Sequence, residues 1–269
     1  MSASPARLGF LLDRRARAPV VWAALLGGAA LAWTVTVRGA VEMGNGTGTM
    51  GRGLAGFVLL WVTMMAAMML PSVAPVASLY LRSVRSRSTG ALRVLRLGGV
   101  IVGYLGAWTA FGVAAFAAAS AGGRLAAEAP SAAPWAGAAA LAGAGIYQVT
   151  PLKDRCLSHC RSPLGFLLHF GGYSGRLRDV RVGLYHGGYC VGCCGALFVV
   201  LIAVGVMNLA WMAGLTAVIF LEKTWRFGKP LGVAFGIALV VIALFVPSHP
   251  ELVPGLNIDR GMTTVGMER

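Results

Sequence analysis

The stretch Leu184-Tyr-His186-Gly-Gly-Tyr-Cys190-Val-Gly-Cys193-Cys194-Gly-Ala-Leu-Phe-Val-Val-Leu-Ile-Ala-Val-Gly-Val206 contains no Asp, Glu, Lys or Arg. Its length meets the roughly 20 residues that one helical crossing of a bilayer core needs. His186, Cys190 and Cys193 stand at offsets 0, 4 and 7. At about 100° per residue these three fall on one narrow face, with Cys194 about 40° beyond Cys190. An apolar helix that shows an imidazole and up to three sulfurs on one side reads as a membrane span with a ligand set. At 1.5 Å per residue, Cys190 to Cys194 lie roughly 10 to 15 Å in from the end that carries basic residues.

The rest of the chain supports the membrane reading. It is 57% hydrophobic and 12% charged, with a mean hydropathy of +0.75, and soluble domains carry about twice that charge fraction. Apolar runs cover about 19–37, 54–81, 97–119, 134–150, 184–206, 209–222 and 231–247. The expected fold is therefore an all-α polytopic membrane protein of about seven helices. A basic N-terminus (1–18) precedes a single helical domain (19–247), and an external C-terminal tail (248–269) follows it. A signal peptide competes with a retained first helix here, but the run is long and no small-x-small cleavage pattern clearly follows Val37, which favours the retained helix. Prolines 71 and 75 predict a kink or break in the second helix. The sixth run is short, and its turn around Asn208 is tight.

The net charge of +14 does not gather into a patch with interleaved aromatics, so nucleic acid is not the partner it indicates. Eighteen of the 23 Lys and Arg residues fall in the N-terminus, 82–96, 151–182 and 223–229, connections that lie on one side of a seven-span chain. The positive-inside rule makes that side cytoplasmic, with the N-terminus inside and the tail outside.

All five cysteines and three of the four histidines lie between Cys156 and Cys194. An odd count on a cytoplasmic side is not a disulfide framework, so reduced thiols are expected. Cys156 and Cys160, four apart with His159 between them, face one way on a short helical turn that Pro163 ends. The following run to Phe170 is too short to span, which suggests an interfacial or re-entrant segment within 156–180 that returns these thiols to the mouth of the fifth helix. His169 reads as an interfacial side chain and His249 as a loop residue. In the second run Met64 pairs with Met68, and Met65 with Met69, four residues apart. These four thioethers are candidates for a second, softer metal station. Thiolate, imidazole and thioether together select Cu(I) or Zn(II), copper first because methionines add nothing for zinc, while no carboxylate pair offers a site for Mg, Ca or di-iron. Glu222, beside Lys223 at a helix end, reads as a snorkelling ion pair or a proton relay.

Several ordered motifs resemble a known family. They are Pro151-Leu-Lys-Asp-Arg-Cys156-Leu-Ser-His159-Cys160-Arg-Ser-Pro163-Leu-Gly-Phe and the Gly183 to Cys194 run. Gly205-Val-Met207-Asn208-Leu-Ala-Trp211-Met212, Leu221-Glu222-Lys223 and the Trp61 to Pro71 methionine run complete the set. Over about residues 55–225 they resemble the bacterial membrane family designated domain of unknown function 2182, described as predicted metal-binding integral membrane proteins. The resemblance implies a metal site but neither a metal nor a reaction. The leading expectation is a membrane protein that handles copper, or less readily zinc, through His186, Cys190, Cys193 and Cys194 with Cys156, His159 and Cys160. Its partners would be the lipid bilayer and a metal chaperone or partner membrane subunit. The alternatives are a membrane thiol-disulfide oxidoreductase using the same cysteines, and a structural subunit of a membrane complex. No hydrolase triad, phosphate-cradling loop or nucleotide motif is visible, and no residue is assigned a catalytic role.

Overall fold

The structure, a computed structural model, describes residues 5–43, 48–83, 90–162, 175 and 177–257. His169, the apolar run that holds it, Arg85, Arg87 and the tail beyond Asn257 lie outside the described residues. The described chain is helical, with no strand among the described residues. Its helices are α1 (Pro5–Met43), α2 (Leu54–Ser83), α3 (Gly90–Glu128), α4 (Ala133–Tyr147), α5 (Pro151–Arg161), α6 (Arg178–Val204), α7 (Leu209–Thr224) and α8 (Gly228–Phe245), followed by two short 3-10 turns at Pro250–Leu252 and Pro254–Leu256.

Each of the seven apolar runs is a helix, and α5 is an additional one. Five segments are long and apolar enough to cross a membrane: Val20–Glu42 of α1, and α2, α3, α6 and α8. By length and composition the chain is a multi-pass membrane protein. The remaining two, α4 with 15 residues and α7 with 16, fall short of the usual span length. Large apolar side chains on the outer surface, among them Leu31, Leu59, Val102, Ile237 and Leu244, are exposed as lipid-facing residues are.

The ends of the helices follow local chemistry. Helix α2 runs unbroken through Pro71 and Pro75 where a break was one expectation; neighbouring helices tolerate such prolines within a bundle. Thr150 caps α5 by accepting from the Lys153 amide at 3.3 Å, and Pro151 takes the first helical position, where its missing N–H is harmless. The expected short turn around Cys156 and Cys160 is thus a three-turn helix, which stops at Arg161 ahead of Pro163. Gly205, at φ 99°, ends α6, and the Asn208 side chain accepts from the Trp211 amide at 3.2 Å to start α7. These two residues make the tight connection that the sequence indicates. Residues of the 253–256 segment, read as external tail, pack back on the bundle: Val253 against Gly137, Leu256 against Gly122, and Gly255 against the carbonyls of Ile202 and Ala203.

Helix α6 is the centre of the bundle, with 67% of its apolar window buried against 44% or less in the other four spanning segments. It packs on α3, α4, α5 and α7. The α3 contact is set by glycine. A Cβ on Gly103 would strike the Val180 carbonyl, and one on Gly183 would strike the Val100 carbonyl, so the two backbones meet where neither carries a side chain. Helix α5 is fixed differently, by a buried ion pair of Lys153 with Glu222 of α7 at 2.6 Å, the two side chains 3% and 1% exposed. Lys153 also donates to Gln148. Gly232 of α8 leaves the room this pair occupies. Glu222 therefore pairs with Lys153 and not with the adjacent Lys223, because successive helix positions do not face each other.

These contacts generate two predictions. Gly183→Val should destabilise the protein in detergent by about 1–3 kcal/mol or more through overpacking, whereas Gly188→Ala, whose added Cβ meets nothing within 4 Å, should be neutral or stabilise by about 0.5–1 kcal/mol; thermal unfolding of the two variants checks the contrast. Glu222→Leu alone should cost about 3–5 kcal/mol by leaving the Lys153 ammonium buried and unpaired, and adding Lys153→Met should recover much of it. A double-mutant cycle with no recovery would remove the ion pair from this account.

Candidate metal centre

Along α6 the ligand-bearing face turns inward. Cys190, Cys193 and Cys194 are buried, and their sulfurs all lie within 4.8 Å of one another, a grouping that can hold a metal ion. Cys193 and Cys194 Sγ approach to 3.1 Å, and Cys193 Sγ also lies 3.3 Å from the Cys190 carbonyl that it donates to. The three residues come from a single turn of helix, so the backbone alone fixes their spacing.

Helix α5 adds a fourth sulfur. Cys160 Sγ lies 3.7 Å from Cys193 Sγ, at the edge of the thiol group. Cys156, one turn earlier, does not join it: its Sγ fills the space above Gly192, where any Cβ would stand 2.7 Å away. Burial pushes the Cys156 thiol above its ordinary pKa. All five cysteines are free thiols, and the two on α5 are half-buried where the three on α6 are buried.

The two histidines of the described site region stack on tyrosines. The buried His186 ring stacks on Tyr104 of α3 at 5.8 Å between centroids, and it lies outside the group of three sulfurs. His159 stacks on Tyr189 at 4.0 Å and meets Tyr185 edge-on at 5.6 Å. The α5 imidazole therefore packs against two tyrosines of α6.

Three residues that sequence reasoning missed complete the surroundings of Cys190. Tyr104 Oη lies 3.0 Å from Cys190 Sγ. Lys223 of α7 donates to Cys190 Sγ at 3.0 Å and to Ser72 Oγ of α2 at 3.2 Å. Ser72 in turn donates to the Met69 carbonyl at 2.9 Å, and its Oγ is 4.0 Å from Met69 Sδ. The four methionines 64, 65, 68 and 69 are all buried, and through Ser72 and Lys223 the last of them is joined to the thiols. The signals for Lys223 in the sequence were its place in the Leu221-Glu222-Lys223 motif and its position near the end of an apolar helix, where a cation ordinarily snorkels to the interface. Here its ammonium turns inward instead.

The arrangement is suited to soft-metal chemistry. Three sulfurs converge with a fourth beside them, no carboxylate stands among them, and the site lies within a bundle of apolar helices. Thiolates in that number favour Cu(I) or Zn(II) over the hard cations. The thiols are on α6 and α5, and the charge beside them comes from α7, so one constellation draws on three helices.

Comparison with known proteins agrees with this chemistry. No curated protein and no solved structure matches the chain. Residues 58–246, which include every residue placed at the site, match the PpoB2 family, described as copper chaperone. With more than half of its length matched, and a buried cluster of three thiols at its centre, the chain belongs to the PpoB2 copper chaperone family.

Proposed function

We propose that this chain is a seven-span protein of the bacterial inner membrane that takes up Cu(I) near its cytoplasmic face and passes it to a partner protein. Helices α4 and α7 count as spans in this reading, the N-terminus is cytoplasmic, and residues 19–247 form one membrane domain. The motifs that resemble domain of unknown function 2182 lie within about residues 55–225 and the copper chaperone match spans 58–246, so the two overlap over most of their length. The observation that carries the reading is the convergence of Cys190, Cys193 and Cys194 within 4.8 Å in a buried position.

Copper is the cargo. Cys190, Cys193 and Cys194 hold it, and Cys160 is the sulfur through which it enters or leaves, because Cys160 is half-buried and reaches Cys193 at 3.7 Å. Thiolate ligands around Cu(I) can be exchanged one at a time, so a sulfur at the edge of the cluster can displace one inside it. Cys156, His159 and His186 are auxiliary donors around this core. The Met64, Met65, Met68 and Met69 cluster forms the second station; thioethers bind Cu(I) without adding charge, as a site deeper in the apolar bundle requires. Glu222 keeps α5 docked through Lys153 and is the charge partner of the arrangement. Zinc is the less favoured cargo, since it takes four ligands in a closed tetrahedral site and gains nothing from the methionines.

A second reading is thiol-disulfide exchange, which the 3.7 Å approach of Cys160 to Cys193 favours. One measurement separates the two. Protein purified in detergent under reducing conditions and without chelator should hold about one copper per chain, lost in the Cys190→Ser, Cys193→Ser double variant. Copper stoichiometry unchanged in that variant would remove these thiols as the site. Wild type without metal, but with a Cys160–Cys193 disulfide forming under mild oxidant, would transfer the assignment to redox exchange.

A further inference from the structure

We infer that Lys223 is a charge filter that makes the thiol site select a monovalent soft cation over a divalent one. This inference rests on the copper-binding reading above and goes beyond it by naming the residue that sets metal preference.

The geometry fixes where the charge stands. Lys223 Nζ donates to Cys190 Sγ at 3.0 Å and to Ser72 Oγ at 3.2 Å. Ser72 uses its own hydrogen toward the Met69 carbonyl, so its oxygen is left to accept from the ammonium. The lysine is thus held by partners on two other helices, one of them a member of the thiol cluster. Among the described residues no carboxylate is seen at ion-pair distance from it; Glu222 and Asp154 pair with Lys153 and Lys229. Glu222, the acid next to Lys223 in the chain, is engaged by Lys153 at 2.6 Å. The groups in direct contact with the ammonium are thus Cys190 and Ser72, while the Glu222 carboxylate, held by Lys153, acts on it only from a distance.

That condition discriminates between cargoes. Three thiolates with Cu(I) carry a net charge of −2 and with Zn(II) a net charge of −1, so in a poorly screened interior the adjacent ammonium stabilises the copper-loaded site more than the zinc-loaded one. At equal distance, the ammonium repels a divalent ion twice as strongly as a monovalent one, and burial magnifies the difference. The neighbouring donors do not offset this: Tyr104 offers a hydroxyl and Met69 a thioether, neither of which carries charge.

The test is the ratio of two affinities in the full-length protein in detergent micelles. Cu(I) is measured by competition with a chromophoric Cu(I) chelator, and Zn(II) by competition with a fluorescent Zn(II) chelator. In Lys223→Gln, which keeps a hydrogen-bond donor but removes the charge, the Cu(I)-to-Zn(II) affinity ratio should fall about tenfold or more. Lys223→Leu should show the same fall if the glutamine variant does not fold, and Lys223→Arg should keep the ratio within about threefold of wild type. A mere packing role would weaken both metals together and leave the ratio in place. An unchanged ratio in the neutral variants, with both metals still bound, overturns the inference while leaving the copper site intact. Wild type that binds neither metal overturns both.

Discussion

The close approach of α3 and α6 at Gly103 and Gly183 is the constraint on which the centre of this molecule depends. Each glycine receives the carbonyl region of the opposite helix, Val180 and Val100 respectively, and that contact sets the register of everything above it. Tyr104 follows Gly103, and Gly187, one turn beyond Gly183, seats on the Tyr104 backbone. The tyrosine hydroxyl is thereby brought to Cys190, which lies two turns from Gly183. Farther along, Trp108 packs on Phe198 of α6 at 5.0 Å, while its carbonyl accepts from Trp61 Nε1 of α2. Between apolar helices in lipid there is little hydrophobic gain in association, so backbone contact and interhelical hydrogen bonds position the frame.

On this frame the short helix α7 divides two opposite charges. Adjacent residues on a helix diverge by about 100°, so Glu222 and Lys223 point to different neighbours. Glu222 meets Lys153 of α5 in a space that Gly232 opens, while Lys223 faces Ser72 of α2 and Cys190 of α6. One turn of α7 therefore fastens the helix that carries Cys160 and also delivers a cation to the thiols. Neither charge is in water, which is why each one is found with partners of definite geometry.

Much of the fold was legible in the sequence because lipid imposes it: all seven apolar runs are helices, and the cysteines at i, i+3 and i+4 of α6 do converge. The periodicity of one helix carries that information by itself. What was not legible depends on pairing between distant segments. Lys223 and Cys190 are 33 residues apart, Tyr104 and Cys190 are 86, and Lys223 and Ser72 are 151; a single sequence holds no record of these meetings. The same limit explains Glu222, which local reading joined to its neighbour while its partner lies 69 residues earlier. It also applies to His186, whose offset places it on the face of the cysteines and whose ring stacks on Tyr104 of α3.

The two halves of the thiol group differ in how they are held, and the difference bears on how a cargo can move. The α6 sulfurs are fixed by a helix buried on several sides and wedged against α3 by backbone contact, so their mutual distances are nearly invariant. Helix α5 is short and polar, and it is anchored by an ion pair, by His159 stacked on Tyr189, and by Arg161 donating to the Trp225 carbonyl at 2.8 Å. These contacts are directional: they lose most of their strength with a small displacement, unlike a close-packed apolar interface that must open over its whole area. A shift of α5 would alter the Cys160 to Cys193 distance without disturbing the three sulfurs on α6. A site that both retains and releases a soft ion needs this asymmetry, with invariant ligands to retain it and one adjustable ligand to start the exchange.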